Sequence, residues 1–400
     1  MIDLTKSLYG KYNGKEMEYV LQALDSDNPT NKEKPWTQRL EGAFCDVMDV
    51  KYAVACNSGT SGLHAALVAA GVRPGDEVIS PALTVVMDAY ATIHVGATPV
   101  FADVDQETHT IDVTDIQKKI TPKTKAIITV SLYGLPVNMD PVMKIAEENN
   151  VMVIEDSAQT VLGMYNGRIA GTLGHIGVFS FENVKHLTCG SEGGMIVSNN
   201  ERLARKARKF AGIGYKHMTA RVGRTSLALS EVQNPAYERF DTVGLNYRMS
   251  EISAAVGLAQ LERVRLLVSR RQAIAKMLDD AVGDCTWLVR QKVPEGYVHS
   301  YYTYAVVYSG DEKFGVSWKD FYNKYIQMGG DGFYGAWKIP YLEPVFRDLT
   351  INGVTYGKGL CPVAEELQPK IMQFKTNYRN LDVAKIKADA LRKTIKEIEG

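Results

Sequence analysis

The feature that most constrains the fold is an alternation of short apolar runs with amphipathic segments between about residues 50 and 200. Runs rich in β-branched residues predict buried strands, and apolar residues three or four positions apart predict helices. Strands that alternate with such helices are joined by right-handed crossovers, so the sheet is expected to be mainly parallel and covered on both faces. The predicted strands are 52–55, 78–79, 98–101, 126–130, 151–154, 176–181 and 194–198, and the predicted helices are 84–95, 113–120 and 139–149.

The pattern changes after Asn246, and the change predicts a second, smaller unit. Apolar residues at helical spacing run from 249 to 278 and predict one long bridging helix. A strand near 303–308, a helix near 318–327 and a terminal helix over 383–398 are predicted beyond it. We therefore expect a large domain over residues 1–248, and a bridging helix with a small α+β domain over residues 249–400.

Composition and charge argue against several classes of protein. The 46 basic and 46 acidic residues balance to a formal net charge of zero, so nothing favours a nucleic acid or an anionic membrane as partner. No run approaches the roughly 20 apolar residues of a membrane span, and the first residues lack the apolar core of a signal peptide. The five cysteines have no CxxC spacing and the seven histidines no ligand spacing. These patterns predict a cytoplasmic protein with free thiols and no structural metal.

The first motif with chemical meaning is "FSFENVKHLTCGSEGG", which contains Lys185. It places Lys185 between an apolar strand and a glycine-rich turn, with the hydroxyl of Ser180 five residues earlier. Burial at a strand end lowers the pKa of a lysine, and a neutral amine can form a Schiff base with a carbonyl. A solvated surface lysine beside a loop is the other interpretation.

The second motif is "VIEDSAQ", in which Asp156 follows a run typical of a buried parallel strand. Open α/β sheets bind ligands at the carboxyl ends of their strands. A carboxylate there can hold a proton on a heteroaromatic nitrogen. Because Asp and Ser also commonly begin helices, a helix N-cap is an equally good interpretation of the segment.

The third motif is "NSGTSGLHAAL", where a strand meets a Ser-Gly-Thr turn and a helical pattern follows. Backbone N–H groups at the start of a helix, flanked by hydroxyls, form a binding site for phosphate. The lysine of a P-loop and the spacing of a dinucleotide fingerprint are both missing. In isolation, an ordinary Ser/Thr-capped helix explains the motif better.

A phosphate site, a carboxylate for a ring nitrogen and a Schiff-base lysine are the protein groups that a pyridoxal 5'-phosphate (PLP) enzyme needs. With "GDEVISPALT", "GATPVFADVD" and "GLNYRMSEISAAVGLAQL", these motifs make the chain resemble the DegT/StrS family of PLP-dependent nucleotide-sugar aminotransferases. The resemblance covers about residues 36–260. It implies the α/β fold of type I PLP-dependent transferases, with a mostly parallel central sheet in the large domain and a smaller α+β C-terminal domain.

The resemblance also implies roles for individual residues. Lys185 would bind PLP covalently and later move a proton, and Asp156 would pair with the pyridinium nitrogen. Gln159 would contact the 3-hydroxyl of the cofactor. The phosphate ligands implied by the resemblance are the amides of Gly59 and Thr60 and the hydroxyl of Ser180.

Two further positions follow from the resemblance. Asn246 matches an asparagine that reaches the phosphate of the neighbouring subunit, which implies a homodimer with shared active sites. Val85 stands where the family usually stacks an aromatic ring on the cofactor; a valine can cover the ring by dispersion but without π-stacking. Ser191 is an additional residue in the glycine-rich turn.

The implied function is transfer of an amino group from an amino acid, by analogy L-glutamate, to a keto-sugar. The expected acceptor is a nucleotide-linked 4-keto-6-deoxyhexose, in surface polysaccharide or antibiotic sugar biosynthesis. One alternative is an aminotransferase acting on a small phosphorylated ketone, which Val85 and the weaker resemblance beyond about residue 265 leave open. Another is a sugar dehydratase of the same fold, against which Lys185 argues because those relatives carry histidine there. A cofactor-binding regulator without turnover is the alternative from a different class.

Overall fold

A computed structural model describes residues 10–25, 34–223 and 229–400. Part of the polar segment 214–234, which the sequence suggests as an active-site loop, lies outside the described residues. The strands are β1 (Tyr52–Cys56), β2 (Glu77–Pro81), β3 (Thr98–Ala102), β4 (Thr124–Val130), β5 (Met152–Asp156), β6 (Met164–Tyr165), β7 (Arg168–Ile169), β8 (Ile176–Ser180), β9 (Gly194–Ser198), β10 (Leu288–Arg290), β11 (Tyr297–Val298), β12 (Thr303–Tyr308), β13 (Tyr334–Gly335), β14 (Thr350–Ile351), β15 (Val354–Thr355) and β16 (Ile371–Lys375).

The described residues also form fifteen α-helices and three single 3₁₀ turns, and the turns lie at Leu132–Gly134, Pro340–Leu342 and Gln368–Lys370. The α-helices are α1 (Lys15–Asp25), α2 (Trp36–Met48), α3 (Gly59–Ala70), α4 (Met87–His94), α5 (Val113–Lys119), α6 (Met139–Glu148), α7 (Glu201–Ala211), α8 (Leu229–Val232), α9 (Glu251–Leu261), α10 (Val264–Val282), α11 (Gly310–Phe314), α12 (Trp318–Gln327), α13 (Pro344–Arg347), α14 (Pro362–Leu367) and α15 (Leu381–Glu399).

The main sheet has the strand order β1-β9-β8-β5-β4-β2-β3. From β8 to β3 all neighbours are parallel, and β9 is antiparallel to both β8 and β1. The expected mostly parallel sheet is therefore confirmed. In the register, Asp156 lies opposite Val130 of β4 and Val178 of β8. The carboxyl ends of these three central strands consequently meet at one edge.

Alternation along β8 determines which side chains face which helices. Val178 is buried with residues of α3, whereas Phe179 and Phe181 pack with α2 and α9 on the opposite face. Because side chains of a strand alternate between faces, Ser180 lies on the same face as Val178. The final hydroxyl of the strand is thus directed toward the start of α3.

The predicted single helix over 249–278 is wrong, because two helices, α9 and α10, occupy that stretch. The break is at Arg263, whose backbone is not helical (φ −116°, ψ 13°). Its buried guanidinium donates to the carbonyls of Gly10 and Lys11 and to the Glu16 carboxylate. These partners lie some 250 residues away in the sequence, so local periodicity does not reveal them.

A second sheet, in the order β10-β12-β16-β13, is antiparallel throughout. Helices α10, α12 and α15 pack with it around Trp287, Phe321 and Phe374. The predicted strand at 303–308 and the predicted helices at 318–327 and 383–398 agree with β12, α12 and α15. Residues between 340 and 367, including Tyr341 and Phe346, instead pack against Phe101 of β3.

The described residues contain neither a membrane-spanning helix nor a cluster of metal-binding side chains. No helix within them combines the length and apolar character needed to cross a membrane. Within the same residues, no group of three or more His, Cys, Asp or Glu side chains is arranged to hold a metal ion. The five cysteines are free thiols.

Candidate active site

The start of α3 leaves two backbone amides available to an anion. Ser58 caps the helix, and its hydroxyl accepts from the amide of Ser61 at 3.1 Å. The amide of Gly62 donates to the carbonyl of Ser58. The amides of Gly59 and Thr60, at the first two helical positions, have no acceptor within the helix. Together with the positive end of the helix dipole they favour binding of a phosphate.

Close packing holds the turn before α3 against the end of β8. A Cβ atom added to Gly59 would lie 3.0 Å from Cβ of Ser180, and one added to Gly194 would lie 2.6 Å from the carbonyl carbon of Ser58. A side chain at Gly59 would therefore push the turn away from Ser180. The structure thus brings together the three predicted phosphate ligands, the Gly59 and Thr60 amides and the Ser180 hydroxyl.

Asp156 ends β5 at the same edge of the sheet, and its side chain is buried. Oδ1 accepts from the amide of Ala158 at 2.8 Å, which closes a turn over two residues. No helix follows Asp156 in this described region, so the residue is not the N-cap that the sequence left open. Burial raises the pKa of the carboxyl, while the Ala158 amide and the charge of Lys185 oppose that shift.

Lys185 lies in the turn between β8 and β9 and is partly buried. Its Nζ lies 4.4 Å from the centroid of the Tyr302 ring. Desolvation lowers the pKa of the amine, and the negative charge of Asp156 only partly opposes this. A lowered pKa favours the neutral amine that Schiff-base formation requires. The environment does not match that of a solvated surface lysine.

Arg271 fixes the lysine turn, and sequence reasoning did not single it out. Its buried guanidinium donates to the carbonyls of Val184 (2.7 Å), Lys185 (3.0 Å) and Tyr302 (2.8 Å). The signal was present in the sequence, because Arg271 occupies the apolar stripe that Val268 and Ala275 define on α10. An arginine on a buried stripe normally has specific partners.

Gln159 and Val85 complete the group of expected cofactor contacts. The Oε1 atom of Gln159 accepts from the amide of Tyr133 at 2.8 Å, which directs the side chain and leaves its NH₂ group as a donor. Val85 is partly buried just before α4. In α4, the buried carboxyl of Asp88 lies beside that of Asp156, and no sequence motif indicated this contact.

Asn246 lies in a segment that runs beside the end of β1. The main chain of Asn246 pairs with Gly212, and Arg248 pairs with Cys56. The amide of Asn57 donates to the carbonyl of Tyr247 at 2.8 Å. The side chain of Asn246 is exposed.

The described residues fit PLP. Free amides and a hydroxyl suit its phosphate, a buried carboxylate suits its ring nitrogen, and a lysine of lowered pKa suits its aldehyde. When bound, PLP supplies an electron sink for negative charge on the carbon that carries the amine. These groups are therefore suited to PLP-dependent chemistry on the carbon that carries an amine.

Comparison with known proteins agrees with this chemistry. The model of the DegT/DnrJ/EryC1/StrS aminotransferase family matches residues 11–380. GDP-perosamine synthase of Caulobacter vibrioides is 42% identical over 264 residues, which is 66% of this chain and 66% of that protein, just under two thirds. GDP-perosamine synthase of Escherichia coli O157:H7 is 38% identical over 294 residues, 74% of this chain and 75% of the relative. The structure of an aminotransferase from Psychrobacter cryohalolentis superposes with a TM-score of 0.85 at 29% identity, over 98% of this chain and 100% of that chain.

These similarities confirm the predicted family and the fold type I architecture, and the named relatives support a nucleotide-sugar aminotransferase. The structure of GDP-4-keto-6-deoxy-D-mannose-3-dehydratase of E. coli, which is 24% identical and shares the fold with a TM-score of 0.82, contains bound hydrated PLP. The family model spans far more than half of the 400 residues. The chain therefore belongs to the DegT/DnrJ/EryC1/StrS aminotransferase family and is a PLP-dependent aminotransferase.

Proposed function

We propose that the chain transfers an amino group from L-glutamate to a GDP-linked 4-keto-6-deoxyhexose. The observation that carries this proposal is the meeting of Lys185, Asp156 and the turn at Gly59 at one edge of the main sheet. The names of the two GDP-perosamine synthase relatives support GDP as the nucleotide. Synthesis of an amino sugar for a surface polysaccharide or an antibiotic is the corresponding biological role.

Each residue has a separate task in this proposal. The neutral amine of Lys185 would bind the cofactor aldehyde and, once displaced by the donor, would take the proton from the substrate carbon and deliver it to the cofactor carbon that had carried the aldehyde. Asp156 keeps a proton on the ring nitrogen, which maintains the electron sink. The amides of Gly59 and Thr60 and the hydroxyl of Ser180 bind the phosphate.

Two other side chains would control the orientation of the ring. Gln159 would donate from its NH₂ group to the 3-hydroxyl oxygen, because its Oε1 is already engaged by Tyr133. Val85 would cover one face of the ring by dispersion contacts.

Basic side chains around the lysine support an anionic substrate. A cavity of about 210 Å³ beside Lys185 is lined by Lys11, Arg270 and Arg379. Burial and the charge of Arg379 lower the pKa of Lys11. The effect of Arg379 shows that the basic side chains lie close together at this opening. A nucleoside diphosphate and the carboxylates of L-glutamate are both complementary to such a cavity.

The choice of amination over dehydration rests on Lys185. A dehydratase of this fold, as implied by the family resemblance, would carry histidine at that position. An acceptor without a nucleotide, such as a small phosphorylated ketone, is the second candidate because Val85 departs from the family pattern. A panel of keto-sugar nucleotides and small phosphorylated ketones separates the sugar acceptor from the small-ketone acceptor.

We further propose a homodimer in which Asn246 completes the phosphate site of the partner subunit. Around the exposed Asn246 side chain, Phe240, Val243 and Leu245 are exposed to 54, 93 and 43%, respectively. Apolar side chains so exposed and so close together are typical of a protein interface. The same segment runs beside β1, which leads into the turn at Gly59.

The assignment of Lys185 is tested by borohydride reduction followed by peptide mapping. The chromophore should be fixed to the peptide that contains Lys185, and Lys185→Ala should lose transamination. Lys118→Ala, on an exposed face of α5, is the matched control and should behave as wild type. Full activity of Lys185→Ala would contradict the proposal.

The substrate is tested with enzyme loaded as the pyridoxamine form. GDP-, UDP- and dTDP-linked 4-keto-6-deoxyhexoses are offered beside small phosphorylated ketones, and the absorbance of bound PLP is followed. We expect the PLP absorbance to return with the GDP-linked sugar. Return only with a small ketone would refute the sugar proposal and leave the aminotransferase intact.

The shared site is tested by mixing Lys185→Ala chains with Asn246→Ala chains. If Asn246 acts across the interface, one site of each hybrid dimer carries both defects and the other carries neither, so activity recovers. Hybrids verified by mass that show no recovery would mean that Asn246 serves its own chain. A chain carrying both substitutions, mixed with wild type, is the control and gives one defect in each site.

A further inference from the structure

A second buried carboxyl group, that of Asp88, lies beside Asp156, and no basic side chain of the described residues is among the groups that affect its charge. Asp88, in the first turn of α4, has 0% exposure. Its Oδ2 atom accepts from the hydroxyl of Thr84 at 2.8 Å. Its Oδ1 atom has no N–H or O–H donor among the described residues. A buried carboxylate oxygen without a donor is costly, and such a group requires an explanation.

The explanation is a proton shared with Asp156. The two buried carboxyl groups lie within hydrogen-bonding reach of each other, and two ionised carboxylates would face each other as acceptors without a donor. One of the two must therefore carry a proton. Repulsion between two adjacent negative charges in a buried site also prevents both carboxyl groups from ionising together.

The surroundings decide which residue carries the proton. Asp156 accepts the amide of Ala158 and faces the positive charge of Lys185, and both stabilise its ionised form. Asp88 has only the hydroxyl of Thr84, and burial together with the charge of Asp156 raises its pKa well above the usual value. The proton accordingly lies on Oδ1 of Asp88.

We propose that Asp88 is a positioning residue for the reaction: as a neutral acid it donates a hydrogen bond to Asp156 and holds the ionised Asp156 carboxylate toward the ring nitrogen of PLP. The inference rests on the proposed role of Asp156. It does not make Asp88 a substrate contact, because the side chain is wholly buried.

The proposal predicts different effects for two kinds of substitution at Asp88, one that keeps a hydrogen-bond donor and one that removes it. In Asp88→Asn the amide can donate to Asp156 and accept from Thr84, so the arrangement is retained. In Asp88→Ala or Asp88→Leu the Asp156 carboxylate loses this donor, its negative charge is less dispersed, and its orientation is no longer fixed. A purely structural carboxylate at Asp88 would make the asparagine variant as defective as the other two.

The first experiment titrates the absorbance of bound PLP with pH in each holoenzyme. We expect Asp88→Asn to match wild type and Asp88→Ala to titrate about one pH unit higher, since loss of one hydrogen bond to a charged group changes a proton equilibrium about tenfold. Asp88→Leu, which has nearly the shape of aspartate but no donor, serves in place of Asp88→Ala if the latter does not fold. Identical titration of all variants would overturn the positioning role.

The second experiment measures stability against pH and does not depend on the role of Asp156. Asp88 is neutral in the folded protein and ionises above about pH 4 when unfolded, so folding takes up one proton. As the pH rises from about 4, wild type should lose stability relative to Asp88→Asn, by about tenfold in the folding constant per pH unit. A difference that does not vary with pH would mean that Asp88 is ionised and would overturn the inference.

The two proposals can fail separately. If Asp156→Asn retains full activity while the pH-dependent difference at Asp88 persists, the role of Asp156 fails and the shared proton stands. If Asp156→Asn is inactive while Asp88→Asn and Asp88→Ala give the same titration and the same stability, the Asp88 inference fails alone.

Discussion

A buried ion pair, Arg208 with Glu41, holds the strand that leads into the phosphate-binding turn, and breaking it should destabilise both the fold and the cofactor site. The guanidinium makes two bonds to the carboxylate, at 2.8 and 2.9 Å, and one to the carbonyl of Ala53 at 2.8 Å. Glu41 also accepts from the amide of Ala55. Both ends of the pair therefore bind the backbone of β1, and Gly59 follows β1 by three residues.

The magnitude follows from burial. Arg208 is 6% exposed and Glu41 is 7% exposed. Removing one partner of such a pair leaves an uncompensated charge and costs about 3–5 kcal/mol. Arg208→Met keeps most of the side-chain volume, so the loss should come from the charge on Glu41 rather than from a cavity. In Glu41→Gln with Arg208→Met that charge is also removed, and about 2 kcal/mol or more should be recovered.

Urea unfolding at equal protein and PLP concentrations measures both effects, because the absorbance of bound PLP reports the site and circular dichroism reports the fold. We expect the order wild type, double variant, then Arg208→Met, with PLP lost at a lower urea concentration in the single variant. A cost below about 1 kcal/mol for Arg208→Met, the range of exposed ion pairs, would refute the reasoning. So would a double variant no more stable than the single one.

Three further predictions concern the site and the pH dependence of stability. Asp156→Asn should retain the fold and lose at least about tenfold in kcat/KM, roughly 1.4 kcal/mol of transition-state stabilisation; a smaller loss would assign the ring nitrogen to another group. Gly59→Val should weaken PLP binding in equilibrium dialysis because its Cβ lies 3.0 Å from Ser180, whereas Gly42→Ala, with nothing within 4 Å, is the unaffected control. His299 accepts the amide of Tyr301 on Nδ1, and burial lowers its pKa to about 3. The stability that the neutral imidazole contributes is therefore complete above about pH 6.5 and is lost on acidification, by about 1.4 kcal/mol per pH unit. His299→Gln should show a flatter dependence of the unfolding free energy on pH in urea unfolding.

The main sheet was predictable because the relevant signals are local. A buried parallel strand is a short apolar run. The six predicted strands that follow 52–55 coincide with β2, β3, β4, β5, β8 and β9 to within a few residues. The two-residue strands β6 and β11 were missed, because they pair Tyr165 with Tyr297 across more than 130 residues and have no apolar run of their own. The expected division at residue 248 stays a prediction. Helix α9, just beyond it, shares a core with Phe44 and Phe179.

The motifs predicted the site residues that lie at strand ends, and they missed those that act from helices. Lys185, Asp156 and Ser180 follow apolar runs, so their common edge can be inferred from the parallel order of the strands. Asp88 resembles an ordinary acidic residue in the first turn of a helix, and only tertiary structure places it against Asp156. The proposed contacts with PLP stay predictions for all the candidate residues, namely Gly59, Thr60, Val85, Asp156, Gln159, Ser180, Lys185 and Asn246.

The position of Lys185 depends on a helix that its motif does not contain. Arg271 of α10 donates to the carbonyls of Val184, Lys185 and Tyr302. It also donates to the hydroxyl of Thr376. Three separate segments thus converge on one buried guanidinium, and burial lowers its pKa only to about 10, so it stays charged at neutral pH. A glycine-rich turn has little conformational preference of its own. The geometry of Lys185 is therefore imposed by α10 and the second sheet, and a substitution at Arg271 would move the amine without touching the motif.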